Sequence, residues 1–170
     1  GPDAADYVTP QQQLVIFKLY EKLCRGIQVR KHGLTGKPRT RFLSCDENMT
    51  RLFWRSDAQS AQDSADGVLR VSLGFGSKQD SDREFMLHEI KEVCDDLSTV
   101  VMQRSLAKGY VVRRDNVRGV FAPGIVSVIL ADRTVDFEVE LDDWEVLYHA
   151  FKILVHFYQN IKPKLATRAV

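Results

Sequence analysis

The apolar residues of this chain change their spacing twice, and this change constrains the fold more than any other feature. After Thr9-Pro10, a pair typical of a helix start, apolar residues recur at helical spacing as far as Leu23. From Gly26 onward they alternate with polar residues, as in half-buried strands. Helical spacing returns at Asp142 and continues to Ile161. This order predicts a mainly β domain with one helix before it and one helix after it.

The alternating region divides into a meander and a later hairpin. The strand-like stretches, each with apolar residues at about every second position, are 27–30, 39–45, 51–55, 125–131 and 134–139. The first three, joined by short turns, predict a three-stranded antiparallel meander. The last two flank Asp132-Arg133 and predict a β-hairpin. Residues 85–93 alternate poorly, and their pattern alone leaves helix and strand both open.

The predicted C-terminal helix is apolar on two sides. One face carries Trp144 and Phe151, and the opposite side carries Ile153 and Phe157. A helix with one side in water would keep that side polar, so we expect the N-terminal helix to pack against it. We predict a division into a disordered start (1–9), a docked helix (10–23), the main domain (24–162) and a flexible tail (163–170). Polar stretches at 57–66 and 74–83 predict loops, with a short strand at 68–73 between them.

Composition limits the remaining choices. A chain of 170 residues with 44% hydrophobic residues suits one soluble domain, and its longest apolar runs are far shorter than the ~20 residues that a membrane-spanning helix needs. Cys24, Cys45 and Cys94 have no disulfide or zinc spacing, so we expect free thiols. We find no nucleophile with a base and no metal cluster, and we expect neither enzymatic activity nor a cofactor.

The opening Gly1-Pro2 is typical of a cleaved tag, so we expect the native N-terminus, with any lipidation signal, to be missing.

Positive charge is concentrated in one short segment. No acidic residue lies between Lys22 and Asp46, although the whole chain has a formal net charge of only +1. The basic residues that crowd this segment are Arg25, Arg30, Lys31, Lys37, Arg39 and Arg41. Local basicity on a predicted hairpin indicates a discrete anionic partner.

Strand alternation predicts where these side chains point. If Ile27 and Val29 face the core, Arg30 faces outward. If Phe42 also faces the core, Arg39 and Arg41 face outward with Arg30. The prediction is therefore a phosphate-binding site of three converging arginines, because guanidinium groups bind phosphate oxygens in a forked manner.

The turn between the two strands adds further candidates. We predict that Lys31 and Lys37 supply charge at the rim of the site, and that Leu34 and His32 are the membrane contacts. A second basic group in the loop predicted for residues 97–118 would widen the positive surface. Its members are Arg104, Lys108, Arg113, Arg114 and Arg118, of which Arg113 and Arg114 are the main candidates. Solvated surface charge is the simpler interpretation of this second group.

Several of these features together resemble the pleckstrin-homology family. Arg39-Thr-Arg41-Phe42 is similar to the basic signature on the second strand of that family, residues 85–93 resemble its fourth strand, and Trp144 sits where its helix tryptophan plugs the sheet. The resemblance implies a bent seven-stranded antiparallel sandwich or barrel capped by a C-terminal helix, and it implies that 85–93 is a strand. The extra N-terminal helix and the insertions at 57–83 and 97–118 depart from the family pattern.

The resemblance also implies a function. Members of the family bind anionic phospholipid headgroups, and the extra N-terminal segment resembles that of acylated pleckstrin-homology proteins of apicomplexan parasites. For such a protein we expect a monomer that binds phosphatidic acid on the cytosolic face of a microneme, promotes exocytosis and contacts the secretion machinery. Phosphoinositide binding and a protein-interaction adaptor role remain alternatives. Nucleic-acid binding is disfavoured, because no repeated aromatic platform accompanies the basic residues.

Overall fold

The computed structural model describes residues 7–56, 83–111 and 124–168. Four α-helices lie in these ranges: α1 (Pro10–Arg25), α2 (Val100–Ala107), α3 (Leu141–His156) and α4 (Lys162–Arg168). The strands are β1 (Ile27–His32), β2 (Arg39–Cys45), β3 (Arg51–Arg55), β4 (Glu84–Met86), β5 (Glu92–Cys94), β6 (Gly124–Ile129) and β7 (Thr134–Val139). A 3₁₀ turn at Leu87–Glu89 separates β4 from β5, and a π-helical turn at Phe157–Ile161 joins α3 to α4.

The seven strands form one antiparallel sheet in the order β4-β3-β2-β1-β7-β6-β5. Because neighbouring strands run in opposite directions, the β1–β2 turn, the end of β3, the start of β4 and the β6–β7 turn all lie at the same end of the sheet. We call this the open end. The helix α3 follows β7 and begins at the opposite end. A seven-stranded antiparallel sheet with a C-terminal helix is the pleckstrin-homology-like fold predicted from the sequence, and the prediction is confirmed.

The main core lies between the inner face of the sheet and the helices α1 and α3. Trp144, in the first turn of α3, donates a hydrogen bond from Nε1 to the carbonyl oxygen of Ile125 at 2.8 Å and stacks on Tyr148 at 5.1 Å between ring centroids. Gly124, the first residue of β6, leaves room for the indole ring. The tryptophan therefore joins α3 to the start of β6.

The helix α1 is fixed at both ends. Thr9 and Gln12 form a capping box at its start, in which each side chain accepts a hydrogen bond from the backbone of the other. Near its end, Leu23 is fully buried in the core, and Lys22 Nζ contacts Asp143 Oδ1 of α3 at 2.7 Å. Tyr20 donates to the carbonyl oxygen of Glu47, in the β2–β3 turn, at 3.3 Å. The N-terminal helix thus packs against α3 and the end of the sheet away from the open end.

A cysteine pair at the α1–β2 contact provides a test of this packing. Burial, with a smaller contribution from the neighbouring Cys24 thiol, raises the pKa of the Cys45 thiol to about 12. At pH 8 a thiol with that pKa is ionised in only ~1 molecule in 10,000, and the thiolate is the reactive form. Cys24, by contrast, is exposed on α1. We therefore expect maleimide to modify Cys24 well before Cys45, as measured by peptide mass spectrometry.

The same reaction in guanidinium chloride is the control, since the unfolded chain should lose the difference between the two thiols. Equal labelling rates for Cys24 and Cys45 in the folded protein would show that α1 does not cover this part of β2.

Two parts of the predicted organisation are wrong. Residues 85–93 are not one strand: they are divided between β4, the 3₁₀ turn and β5. Leu87 and Ile90, three residues apart, are both buried, which suits a turn of helix better than strand alternation. The turn also carries the chain from the β3 edge of the sheet to the β6 edge.

The second correction concerns segments predicted as loop or tail. Part of the insertion at 97–118 is the helix α2, which begins with an N-cap hydrogen bond between Thr99 and the backbone of Met102. The flexible tail predicted for 163–170 is helical as far as Arg168, where α4 ends. The loops and short strand predicted within 57–82, and the segment 112–121, lie outside the described residues.

Candidate functional site

The register between β1 and β2 decides which basic residues share a face. Val29 lies directly opposite Arg41, and Lys31 lies directly opposite Arg39. Directly opposed residues of an antiparallel pair project to the same side. Val29 is 2% exposed and belongs to the core. Lys31, Arg39 and Arg41 therefore project from the inner face of the sheet, at its open end.

The predicted convergence of Arg30 with Arg39 and Arg41 is wrong. Arg30 lies opposite Thr40 and projects from the outer face, where its Nη1 lies 3.6 Å from Glu138 Oε1. The error comes from Phe42, which also faces outward. The core residue of β2 is its neighbour Leu43, which is 0% exposed. A shift of one residue inverts the direction of every side chain on a strand.

The inner-face residues form a larger group than the hairpin alone provides. The positive charges of Arg133, Arg41 and Arg83 all act on the Lys31 ammonium. Arg83 and Arg133 also lie at the open end, just before β4 and just before β7. The resulting set, which we call the open-end basic cluster, is Lys31, Arg39, Arg41, Arg83 and Arg133.

Electrostatics at this cluster favour the arrival of an anion. The pKa of Lys31 is lowered, chiefly by burial and then by the three neighbouring arginines, with Asp136 opposing the change in part. The positive charge of Lys31 therefore costs folding stability. That cost is fully present below the folded-state pKa and is gone above the ordinary pKa of lysine. A bound anion near the ammonium would remove it.

Arg41 is in a similar situation. Burial and the charges of Arg83 and Arg39 lower its pKa. Within the described ranges, no carboxylate forms an ion pair with Lys31, Arg39 or Arg41. Positive groups held together in this way, without a carboxylate in ion-pair contact, are typical of a binding site for phosphate or another anion.

An aromatic ring supports the lysine. Lys31 Nζ lies 5.3 Å from the centre of the Trp54 ring, which is buried on β3 and packs edge-on against Phe137 at 5.7 Å. A cation above an indole ring is attracted to its electron-rich face. Trp54 thus forms a rigid base for the cluster.

Sequence reasoning missed Arg83 and Arg133. Arg133 was used only as a hairpin turn residue, and Arg83 ends a segment with little pattern. The available signal was topological, because connections at the same end of an antiparallel sheet bring their residues together. A basic residue in each such connection would have been a candidate.

Of the two membrane contacts predicted near the β1–β2 turn, one is exposed and the other is buried. Leu34 is 65% exposed between two glycines, and Lys37 is exposed beside it. His32 is only 1% exposed, so the prediction that it contacts a membrane is wrong. Its side chain points to the outer face, where α2 covers it. The burial of His32 could not be predicted from its neighbours in sequence, because α2 lies about 70 residues further along the chain.

Under α2, His32 belongs to a buried polar network. Its Nδ1 lies 2.7 Å from Ser105 Oγ, and its Nε2 contacts Glu138 Oε1. Asp136 beside it accepts hydrogen bonds from Thr99 at 2.6 Å and from two other hydroxyl groups. The Ser–His–Glu row has the connectivity of an acyl-transfer triad, but all three side chains are buried and give a substrate no access. We interpret the network as the polar contact that holds α2 on the sheet.

The second basic surface is only partly within the described residues. Arg104 lies on α2 rather than in a loop, and its Nη1 donates to the carbonyl oxygens of Gly33 and Gly36 at 3.1 and 3.0 Å. Lys108 is exposed at the end of α2. Arg113, Arg114 and Arg118 lie outside the described residues, so their role stays a prediction.

Charge is distributed unevenly between the two ends of the molecule. The acidic pairs 95–96 and 142–143 follow β5 and β7 and lie at the end away from the open-end basic cluster. This polarity would turn the open end toward a negatively charged surface. Within the described residues, no helix is both long and apolar enough to cross a membrane. The same residues contain no group of three or more His, Cys, Asp or Glu side chains that could hold a metal ion.

Comparison with known proteins finds likeness in structure alone. No family model and no curated protein matches the chain. The PH domain from TgAPH is 12% identical, with a TM-score of 0.45 over 92% of this chain and 100% of that chain. Inner Membrane Complex (IMC) Sub-compartment Protein 1 (ISP1) from Toxoplasma gondii is 16% identical, with a TM-score of 0.46 over 91% of this chain and 98% of that chain.

Proposed function

We propose that this domain is a peripheral membrane module that binds anionic phospholipid headgroups, phosphatidic acid above all, at the open-end basic cluster. The observation that carries the proposal is the convergence of Lys31, Arg39 and Arg41 on the inner face with no ion-pair partner among the described residues. Their charges face the end of the sheet where Leu34 is exposed. A headgroup phosphate and the membrane surface around it would satisfy both features together.

The chemistry of the cluster suits a phosphomonoester. The second ionisation of such a group has a pKa near 6, and neighbouring arginines favour the doubly charged form. Phosphatidic acid presents this group at the membrane surface without a further headgroup in the way. Phosphatidylserine offers a phosphodiester with a single negative charge, which the same cluster would bind less tightly at equal membrane charge.

The expected affinity indicates a need for a second attachment. Each basic residue near an anionic membrane contributes about 1 kcal/mol. The five residues of the open-end basic cluster would together contribute about 5 kcal/mol, which corresponds to a dissociation constant of only ~0.2 mM. N-terminal acylation, which the family resemblance implies, would supply the second contribution, since one acyl chain alone binds only marginally. By the same resemblance we propose the cytosolic face of a microneme as the membrane and regulated exocytosis as the process.

Phosphoinositide binding is the second candidate, and one observation favours it. The inner-face residues of β1 include Lys31, which lies opposite Arg39, whereas Gln28 lies opposite Phe42 on the outer face. The inner face thus carries a basic residue from the first strand, which a second phosphate group would require.

A vesicle panel distinguishes these candidates. The full chain is sedimented with phosphatidylcholine vesicles that contain phosphatidic acid, phosphatidylserine or a phosphoinositide, matched for surface charge at physiological salt. We expect binding to phosphatidic acid to exceed binding to phosphatidylserine by about tenfold, since a charge-assisted bidentate contact contributes 1.5–3 kcal/mol. Equal binding to both would count against a shaped headgroup site. Tighter binding to the phosphoinositide would favour the second candidate.

A further inference from the structure

Arg104 makes a contact that membrane attraction alone does not explain. Its Nη1 bridges the carbonyl oxygens of Gly33 and Gly36, at 3.1 and 3.0 Å. These two glycines flank the exposed Leu34 and Thr35 at the tip of the β1–β2 turn. The charge of Arg104 therefore points at the turn backbone, and its guanidinium lies 5.8 Å from the centre of the Tyr110 ring.

The turn needs such a contact to hold one shape. It contains two glycines within four residues, and Gly36 adopts a φ of +73°, in the left-handed region that glycine enters most easily. Glycine-containing turns lose more conformational entropy on ordering than other segments. A charged donor that bridges both carbonyl groups restricts the backbone on each side of Leu34.

The neighbouring residue on α2 strengthens this connection. Ser105 Oγ contacts His32, the last residue of β1, at 2.7 Å, and His32 also contacts Glu138 of β7. Consecutive residues of α2 thus hold the start of the turn and the two carbonyl groups at its tip. The helix itself is tied to the sheet through Thr99 and Asp136 at 2.6 Å.

We propose that Arg104 is a positioning residue for membrane binding: it holds the β1–β2 turn so that Leu34 enters the membrane while the open-end basic cluster binds the headgroup. The inference rests on the proposed function and adds a role for the insertion that contains α2. A turn that is already ordered does not lose conformational entropy when it binds the membrane. Binding is therefore tighter by the free energy that this ordering would have cost. The competing explanation is that Arg104 only adds charge to a basic surface.

A double-mutant cycle separates the two explanations. Arg104→Ala is expected to weaken binding to phosphatidic acid vesicles about fivefold, and Leu34→Ala to weaken it by a similar factor, since each loses about 1 kcal/mol. If Arg104 acts through the position of Leu34, the double variant binds no more weakly than Leu34→Ala alone. If the double variant instead loses the product of the two single fold-changes, the proposal is overturned and the charge explanation is favoured. Thermal unfolding of each variant shows that the fold is retained.

Lys108→Ala is the matched control, because it removes one positive charge from the exposed end of the same helix. Any effect of Lys108→Ala should shrink as salt rises, whereas the loss caused by Arg104→Ala should persist. Arg104→Lys, which keeps the charge and a donor, is expected to restore part of the binding and serves if the alanine variant does not fold. A loss from Arg104→Ala that disappears at high salt would also contradict the proposal.

Hydrogen exchange of the turn in solution requires no membrane. Amides of residues 33–37 should exchange faster in Arg104→Ala than in the wild type or in Lys108→Ala. Unchanged exchange would overturn the positioning role even if the wild type binds every anionic vesicle. Faster exchange in a protein that binds no vesicle would instead reject the proposed function and leave the contact as a stabiliser of the turn.

Discussion

Arg41→Glu should reduce binding to phosphatidic acid vesicles by at least about thirtyfold, because it removes a charge-assisted contact and adds a repulsive charge, together about 2 kcal/mol or more. Arg41 projects into the open-end basic cluster beside Arg39 and Arg83. The substituted carboxylate would form an ion pair with these arginines and occupy the place of the headgroup. Vesicle co-sedimentation at physiological salt measures the loss.

The matched control for this variant is Arg55→Glu. Arg55 lies on β3 directly opposite Phe42, at the level of Arg41 but on the outer face, where it stacks on Phe53 at 4.9 Å. Both variants change the net charge of the protein equally. We expect Arg55→Glu to retain most of the binding. If both variants lose binding to the same extent, net charge rather than the inner-face cluster determines attachment, and the proposed site is wrong.

Gly124→Ala should destabilise the fold by about 3 kcal/mol, a large effect for the addition of one methyl group. A Cβ at this position would lie 2.1 Å from Cγ of Trp144 and 2.7 Å from its Cβ. The indole cannot move aside without losing its hydrogen bond to Ile125 and its stacking on Tyr148. Denaturant unfolding followed by far-UV circular dichroism measures the free energy of unfolding.

Two further variants test the cause of this destabilisation. Gly33→Ala adds the same methyl group where the nearest atom, the carbonyl oxygen of Thr35, is 3.7 Å away, so stability should change by less than about 0.5 kcal/mol. In a Trp144→Leu background the penalty of Gly124→Ala should become much smaller, because the clashing ring is gone. A penalty of the same size in both backgrounds would show that the ring contact is not responsible.

The elements of this fold could be predicted where local signals agree. Thr9 and Pro10 predicted the start of α1, since an N-cap residue and a first-turn proline act within a few residues. The hairpin around Asp132-Arg133 was equally clear from alternation and turn composition. The helix α2 was missed because it is only eight residues long and part of its contact with the sheet is made by the hydroxyl groups of Thr99 and Ser105.

The site could be predicted only in part, for a physical reason. Phe42 and Leu43 are adjacent apolar residues, and either could face the core by alternation alone. The pairing of Val29 with Arg41 decides between them, and that pairing depends on contacts across strands rather than on the sequence of β2. The basic segment was thus correctly identified as a concentration of charge, but its division between two faces of the sheet was not.

The two edge strands of the sheet affect how copies of this protein would interact when they are crowded on one membrane. The edge strands β4 and β5 are three residues long each, and they run in the same direction on either side of a gap that α3 fills. An edge of three residues offers too few free backbone groups to recruit a strand from a neighbouring chain. Within the described ranges neither edge therefore provides a template for intermolecular β-sheet, and dense membrane coverage should not join copies of the domain through these strands.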